Sequence, residues 1–343
     1  MLDIEEFMNM YHSGVPVIDV RTAGEFGAGH IPGAQNIPLF SNDERKIIGT
    51  TYKQTGRNEA IKAALSMVGP QLSLFAENTS KYVQDNQLLV HCWRGGMRSS
   101  SVAWLLNLLG VEVFTLAKGY KNFRKYVLRS FELPYTLNIL GGKTGSAKTL
   151  VIAELQKRGQ QTVDLESLAS HKGSAFGSMG QGTQPTQEQF ENELALILRG
   201  FDPKQSIWVE DESRTIGGRM IPLDLWNNMR KSKVFFLDVG VRERIAYLCN
   251  QYASPDQRDL LKNSFYNIKK RLGDVRFKEA IEAVDRKDFR TACAIALEYY
   301  DRAYEYGLKK RDPDLVTRIN IQAPEAEKVA NILLEPAFAG ESP

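Results

Sequence analysis

Gly142-Lys143-Thr144-Gly145-Ser146-Ala147-Lys148-Thr149 carries the strongest chemical signal in the chain. It meets the phosphate-loop pattern G-x-x-x-x-G-K-[ST] at every fixed position but one, Ala147 standing where the pattern has glycine. Small residues let successive backbone N–H groups turn toward an anion, the following helix aims its positive end at the same point, and Lys148 adds a full charge. A diphosphate or triphosphate is the expected guest of Gly142, Gly145, Ser146, Ala147, Lys148 and Thr149. A right-handed helical backbone at residue 147 would tolerate the methyl group of Ala147. How tightly phosphate is held there stays open.

A second constellation is His91-Cys92-Trp93-Arg94-Gly95-Gly96-Met97-Arg98-Ser99-Ser100, between a strand at Gln87–His91 and a helix over Ser101–Leu109 that Gly110 stops. A thiol at a strand end, above a helix N-terminus and beside Arg94 and Arg98, is expected well below the free value of about 8.5. Thiolate is the nucleophilic form, which makes Cys92 the candidate catalytic residue and Arg94, Gly95, Gly96 and Arg98 its anion cradle. The other cysteines, Cys249 in AYLCNQY and Cys293 in TACAIAL, sit in apolar helical patterns and read as packing residues. Three widely spaced cysteines support neither a disulfide framework nor a zinc site, and no metal site is assigned.

The elements that must position these loops follow from hydrophobic period. Thr136–Leu140 is the strand before the phosphate loop and Thr149–Arg158 the helix after it. A strand at Thr162–Leu165 brings Asp164 and Glu166 to the head of a Gly/Ser/Gln-rich stretch that contains His171 and Lys172, at the strand end where α/β sheets place ligand contacts. Ser206–Val209 ends in Glu210-Asp211-Glu212-Ser213-Arg214, like a Walker B strand with terminal acids. Val234–Asp238, with Arg242-Glu243-Arg244 opening the next helix as in P-loop kinases, and Leu315–Ile321 complete the set. Five strands alternating with helices predict a doubly wound parallel sheet. Asp164, Glu166, His171, Asp211 and Arg214 are the candidate site residues at its edge. A magnesium ion on Thr149 and Asp211 is left open.

Toward the N-terminus, Asp3–Tyr11 reads as an amphipathic helix, Val15–Val20 as a strand, Arg57–Met67 as a helix and Val111–Leu116 as a strand. Lys118–Arg129, KGYKNFRKYVLR, then carries five basic residues and no acid, interleaved with Tyr120, Phe123 and Tyr126. Lys118, Lys121, Arg124 and Lys125 could neutralise nucleic-acid phosphates while the rings stack on bases. An amphipathic helix that buries Tyr120, Phe123 and Val127 and shows its lysines to water fits equally well. The segment lies in sequence between the thiol loop and the phosphate loop, so a polyanion reaching both is expected. Lys269-Lys270-Arg271 and Lys309-Lys310-Arg311 read as solvated helix ends, with RNA contacts as the sharper alternative.

The stretch DVRTAGEFGAGHIPGAQNIP, through Asp19, Arg21, Glu25, Phe26, Gly29, His30, Ile31, Pro32, Gly33, Ala34, Asn36, Ile37 and Pro38, closely resembles the opening signature of the rhodanese domain. His30 in its G-H-I-P-G turn reads as a residue fixing that turn by hydrogen bonds. From cysteine to arginine the thiol loop is C-x5-R, one residue longer than in sulfur-transferring rhodaneses. It resembles the H-C-x5-R-S signature of protein tyrosine phosphatases, a cradle wide enough for phosphate or selenophosphate. A rhodanese-like phosphatase and an ATP-dependent kinase or sulfurtransferase are therefore the rival readings. Nearly the whole chain, through CWRGGMRS, GGKTGSAKT, DLESLASHKGSAFG and VEDESRTIGG, resembles the tRNA 2-selenouridine synthase family. The resemblance implies conversion of wobble 2-thiouridine in tRNA to 2-selenouridine through an S-geranyl intermediate, with geranyl diphosphate and selenophosphate as co-substrates. It further implies a selenophosphate synthase as supplier and no tightly bound cofactor.

With 343 residues the chain exceeds a usual single core. The expected division is a rhodanese-like domain at 1–130 and a P-loop NTPase-like, kinase-like domain at 131–343. Charged residues at 25% and hydrophobic at 43% are ordinary for a globular protein. A net charge of +3 does not by itself argue for nucleic acid. No run approaches the roughly 20 apolar residues of a membrane span, and MLDIEEFMNM is unlike a signal peptide, so a cytoplasmic enzyme with no membrane partner is expected.

Overall fold

The computed structural model describes residues 1–171, 182–252 and 258–335. It divides into two compact units, residues 1–130 with 191–196 and residues 131–190 with 197–343. Lys172 and the glycine-rich stretch to residue 181 lie outside the described residues.

The first unit runs α1 (Ile4–His12), β1 (Val17–Asp19), α2 (Ala23–Ala28), β2 (Gln35–Asn36), α3 (Asn42–Gln54), α4 (Arg57–Val68), α5 (Leu72–Ser80), β3 (Gln87–His91), α6 (Met97–Leu108), β4 (Glu112–Thr115) and α7 (Gly119–Ser130). Asp3 opens α1 with a capping box: its carboxylate accepts from Glu6 N at 2.9 Å while Glu6 accepts from Asp3 N. The strands form a parallel sheet in the order β2-β1-β3-β4. Central β3 is an apolar run, as a strand covered on both faces must be; its Leu88 and Val90 meet Ile18, Val102 and Leu106. Helix α7 buries Tyr120, Phe123, Tyr126 and Val127. Its rings therefore belong to the core and are not offered to nucleic-acid bases.

The second unit runs β5 (Leu137–Gly142), α8 (Lys148–Lys157), β6 (Gln161–Val163), α9 (Leu165–Leu168), α10 (Gln187–Arg199), β7 (Ile207–Glu210), β8 (Thr215–Ile216), β9 (Arg219–Met220), α11 (Leu223–Lys231), β10 (Lys233–Val239), α12 (Val241–Tyr252), α13 (Arg258–Leu272), α14 (Asp274–Asp285), α15 (Phe289–Leu308), β11 (Val316–Ile321) and α16 (Ala326–Leu333). The middle of α10, residues 191–196, counts with the first unit. Five strands form a parallel sheet in the order β11-β10-β5-β7-β6, and β8 and β9 make a small hairpin. Helices α8 and α16 cover the sheet through Val151, Ile152, Leu155, Val329 and Leu333. From β5 the chain first fills one side of the sheet, β6 and β7, then crosses to β10 and β11. The switch point is the carboxyl end of β5, where open α/β sheets hold ligands. Helices α13 to α15 build a separate core around Leu261, Phe265, Ile268, Phe277, Val284, Ala292 and Ile295. Among the described residues no helix is long and apolar enough to cross a membrane.

The first unit also buries charge. Asp19 and Arg21 are fully buried and paired at 2.6 Å, and the Arg21 guanidinium lies 3.7 Å from the Tyr120 ring centroid. His91 is fully buried 3.7 Å from Asp19 with neither ring nitrogen hydrogen-bonded. Burial outweighs the pull of Asp19 and holds its pKa at about 4, below the usual 6.5, so the ring is neutral at neutral pH. The unfolded chain then binds a proton that the folded chain refuses between pH 6.5 and 4. Stability is complete above 6.5, falls as pH drops through that window, and loses on the order of 3 kcal/mol. Scanning calorimetry from pH 7.5 to 4 should show this decline and its loss in His91→Asn; equal slopes in the two proteins would refute it.

Candidate active sites

In the first unit Cys92 immediately follows β3, and its thiol is nearly covered, 3% exposed. Its Sγ lies 3.3 Å from Ser99 Oγ and 4.0 Å from Gly96 O. Burial pushes the thiol up, but the hydrogen bonds at Ser99 and Gly96 and the charge of Arg98 outweigh it and leave the pKa below the ordinary value. Gly95 makes the tight turn: its φ is +61°, and a Cβ there would stand 2.4 Å from Leu116 O. Gly96 caps α6. The amide nitrogens of Tyr120 and Lys121, at the start of α7, donate to Cys92 O at 2.9 Å and Trp93 O at 3.1 Å.

That stitching brings the basic helix beside the thiol loop. Arg94, Lys118, Lys121, Asn122 and Lys125 line one cavity of about 400 Å³. The two remaining arginines do something else. Arg98 donates to Glu25 at 2.8 Å, and Arg124 to Glu191 and Asn192, both at 2.5 Å. Their charge is answered within the unit, so of the four proposed tRNA contacts Lys118, Lys121 and Lys125 share the cavity and Arg124 does not. His30 Nδ1 donates to Phe26 O, 3.0 Å away, and the ring stacks on that of Phe26, the geometry of a turn-fixing residue.

In the second unit the phosphate loop joins β5 to α8. Lys148 Nζ donates to Gly142 O at 3.1 Å and lies 5.4 Å from the Tyr304 ring centroid. Burial alone would lower its pKa, yet Tyr304, Glu212, Glu210 and Glu166 around it raise it, so Lys148 is a fixed cation. Ser146 is buried with its Oγ unpartnered, and Thr149 Oγ1 donates to Glu166 at 3.2 Å. Arg244, fully buried, ties the loop down: it donates to Thr144 O at 3.1 Å and clamps Asp301 of α15 at 2.9 and 2.7 Å. Ala147 is not right-handed helical. Its φ of +60° and ψ of +27° are left-handed, the conformation for which the pattern's glycine is suited.

The acids after β7 divide by side. Asp211 pairs with buried Arg311 at 2.5 Å and approaches Arg230 at 3.8 Å. Arg311 is thus a structural partner and not a solvated helix end. Glu210 and Glu212 instead converge with Glu166, their ligand atoms within 4.8 Å of one another. Both oxygens of buried Glu210 lack hydrogen-bond partners. Burial and the neighbouring carboxylates raise Glu210 well above the usual range and Glu212 to about 8, despite Lys148. Three converging oxygen donors with an unanswered buried carboxylate fit the hard divalent cation that a P-loop implies. Asp164 caps α9 by accepting from Ser167 N at 2.8 Å. His171 has a buried, unpartnered Nδ1, and Arg214 is exposed before the small hairpin.

A cavity of about 400 Å³ opens from this loop. Thr144 to Leu150, Asp164 and Glu166 form its polar end, and Leu248, Leu261, Phe265, Leu297 and Tyr300 are among its apolar walls. Cys249 and Cys293 line it too, half-buried and not simply packed away. Burial and the neighbouring Cys249 push the Cys293 thiol up to about 12. Tyr304 and Asp301 carried no sequence signal as site residues, whereas Arg244 was marked by the Arg242-Glu243-Arg244 run that opens its helix. The periodic face of α15 in sequence is the only trace of the other two.

Fold and loops define a rhodanese-like thiol unit joined to a P-loop unit. Residues 3–126 match the rhodanese-like domain, and residues 135–333 match the AAA domain of tRNA 2-selenouridine synthase. Along most of its length the chain is similar to proteins named tRNA 2-selenouridine synthase. It is 31% identical to that of Hydrogenovibrio crunogenus over 90% of this chain and 93% of the relative. It is 33% identical to that of Serratia proteamaculans over 93% of each, and 32% identical to that of Hahella chejuensis over 90% and 89%. The chain belongs to the tRNA 2-selenouridine synthase family.

Left-handed backbone costs a residue with a Cβ roughly 1–2 kcal/mol, and glycine's greater unfolded-state freedom returns about 0.4–1 kcal/mol of that. Ala147→Gly should therefore raise the melting temperature by about 1–3 °C for a unit of this size. Calorimetry that finds a lowered midpoint would contradict the left-handed assignment.

Proposed function

We propose that the chain converts wobble 2-thiouridine of tRNA to 2-selenouridine through an S-geranyl intermediate, using geranyl diphosphate and selenophosphate. The observation that carries this is the cavity that begins at the phosphate loop and continues between apolar side chains of α12, α13 and α15. A nucleotide there would set its base and ribose against Leu248, Leu261, Phe265 and Leu297. Each polar group left unpaired would cost about 1–3 kcal/mol. An isoprenoid tail gains about 0.8 kcal/mol for each buried methylene. The comparison favours a prenyl diphosphate over ATP.

In the first step the thiouridine sulfur attacks C1 of the prenyl group. The S–C1 bond forms as the C1–O bond breaks, and the diphosphate leaves with the bonding pair. Lys148 and the amides of the phosphate loop stabilise that growing charge, the largest contribution expected from this site. Glu166, Glu210 and Glu212 would hold a divalent ion such as magnesium, which when bound would supply further neutralisation of the diphosphate. S-alkylation also turns a poor leaving sulfur into a good one. Selenium of selenophosphate then adds at C2 of the base, the C2–S bond breaks with loss of geranylthiolate, and hydrolysis of the P–Se bond leaves 2-selenouridine and phosphate.

The cavity of Arg94, Lys118, Lys121 and Lys125 beside Cys92 suits the selenophosphate anion or a tRNA phosphate, and Cys92 in its wide loop would bind and orient selenophosphate for that addition. A selenophosphate synthase is the matching supplier, and a tRNA substrate matches a cytoplasmic protein.

Nucleoside mass spectrometry of 2-thiouridine tRNA, with each donor omitted in turn, separates the steps. Lys148→Ala should cut geranylated product roughly 100- to 1,000-fold, the usual loss of one charge-stabilising donor. Undiminished geranylation would end the diphosphate reading, and ATP hydrolysis by the wild-type protein would favour the kinase rival. Cys92→Ala should abolish selenation while tRNA binding and geranylation persist. Retained selenation would remove the thiolate from the mechanism.

A further inference from the structure

Helix α15 lines the cavity with one face. Tyr304, Tyr300, Ala296, Ala292 and Phe289 follow each other at three- and four-residue steps, the period that keeps side chains on one side of a helix, and Cys293 is next to Ala292. The C-terminal part of this face is anchored at the phosphate loop. Tyr304 faces Lys148, Asp301 is clamped by Arg244, and Glu305 accepts from Lys143 at 2.8 Å. The N-terminal part leads away from it: fifteen residues from Tyr304 to Phe289 cover about 22 Å at the helical rise. The face changes character along the way. Tyrosines stand near the phosphate end, then small Ala296 and Ala292, and last the bulky Phe289.

We infer that α15 is the ruler that limits the length of the prenyl chain, with Ala296 and Ala292 as the positions that admit the second and third isoprene units and Phe289 as the end stop beyond them. The inference rests on the prenyl diphosphate reading above. One helical turn, about 5.4 Å, is close to one extended isoprene unit. With the diphosphate at Tyr304, the first unit falls at Tyr300, the second at Ala296 and the third at Ala292. A larger side chain at residue 296 removes room for the second unit of a geranyl chain. The same change at residue 292 removes room for the third unit, which only farnesyl has.

Titration calorimetry with inorganic diphosphate and with dimethylallyl, geranyl and farnesyl diphosphates reads this directly. The wild-type protein should bind geranyl diphosphate at least roughly tenfold more tightly than inorganic diphosphate, since burying even part of a tail exceeds the 1.4 kcal/mol that tenfold represents. Ala292→Phe should lower farnesyl affinity relative to geranyl by roughly tenfold or more, and Ala296→Phe should lower geranyl relative to dimethylallyl by a similar factor. Inorganic diphosphate binding reports that each variant is folded, and Ala292→Leu and Ala296→Leu replace any phenylalanine variant that loses it. If the tail adds nothing to wild-type affinity, the prenyl reading itself fails. If the tail adds affinity but neither position changes the preferred length, the reading stands and the ruler is overturned.

Discussion

Both sites depend on one constraint: a parallel strand must end where a turn can aim its backbone N–H groups at an anion before the next helix closes. In the first unit the strand is β3 and the turn is the Cys92 loop; in the second it is β5 and the phosphate loop. A strand in the middle of a parallel sheet is covered on both faces, so its carboxyl end is an accessible place with a fixed direction. The apolar residues of β3 and β5 fix the backbone on which the anion sites stand. Without that burial the loops would have to be ordered at the cost of their own conformational entropy.

Each loop is then held in place by hydrogen bonds to its own carbonyls. Amides at the start of α7 satisfy the carbonyls of Cys92 and Trp93. Arg244 performs the equivalent task in the second unit, holding Thr144 O and Asp301 together. Arginine suits the position because its fork engages a carboxylate with two bonds and still has a donor for a carbonyl. The pair is deeply placed, and removing one partner would strand the other charge, so it is a positional device more than a source of net stability.

The fold was legible where apolar runs are continuous. The five strands of the second sheet follow from periodicity, the P-loop class from its motif, and the rhodanese-like class from the resemblance of residues 19–38 to that domain's signature. Element ends differ by a residue or two, as Thr162–Leu165 does from β6, because Leu165 already belongs to a helix capped by Asp164. The site was less legible, for particular physical reasons. Sequence order made Asp211 the obvious strand-end acid, but β7 ends at Glu210 and the chain turns there, Glu212 N donating to Glu210 O at 3.0 Å, so that Glu210 and Glu212 converge with Glu166 while Asp211 pairs with Arg311. The partner of Asp211, Arg311, lies a hundred positions away, where no local pattern can reveal it. The left-handed backbone of Ala147 is set by the turn around it and is likewise invisible to residue type. In α7 the alternation of basic and aromatic residues suited both readings, and burial of the rings settled it for packing.

The second unit combines two environments that usually oppose each other. Buried carboxylates beside a cationic lysine are costly unless something answers their charge, and an apolar cavity beside them raises that cost by lowering the local dielectric. Glu210, with neither oxygen partnered, is the clearest sign that the arrangement is complete only with a ligand. A cation on the acids together with a molecule anionic at one end and hydrocarbon at the other would resolve both demands at once. On the proposed reading its anionic head would meet Lys148, the loop amides and that cation, while its tail would fill the space along α15. A wholly polar ligand would leave the hydrocarbon walls facing unpaired groups, and a wholly apolar one would leave Lys148 and the acids unanswered. On the proposed reaction the same low dielectric would act as well, because charge developing on a departing diphosphate would be stabilised more strongly by fixed donors there than in water. Substrate selection and charge stabilisation would then arise from one feature, the abrupt change from polar to apolar lining where α15 leaves the phosphate loop.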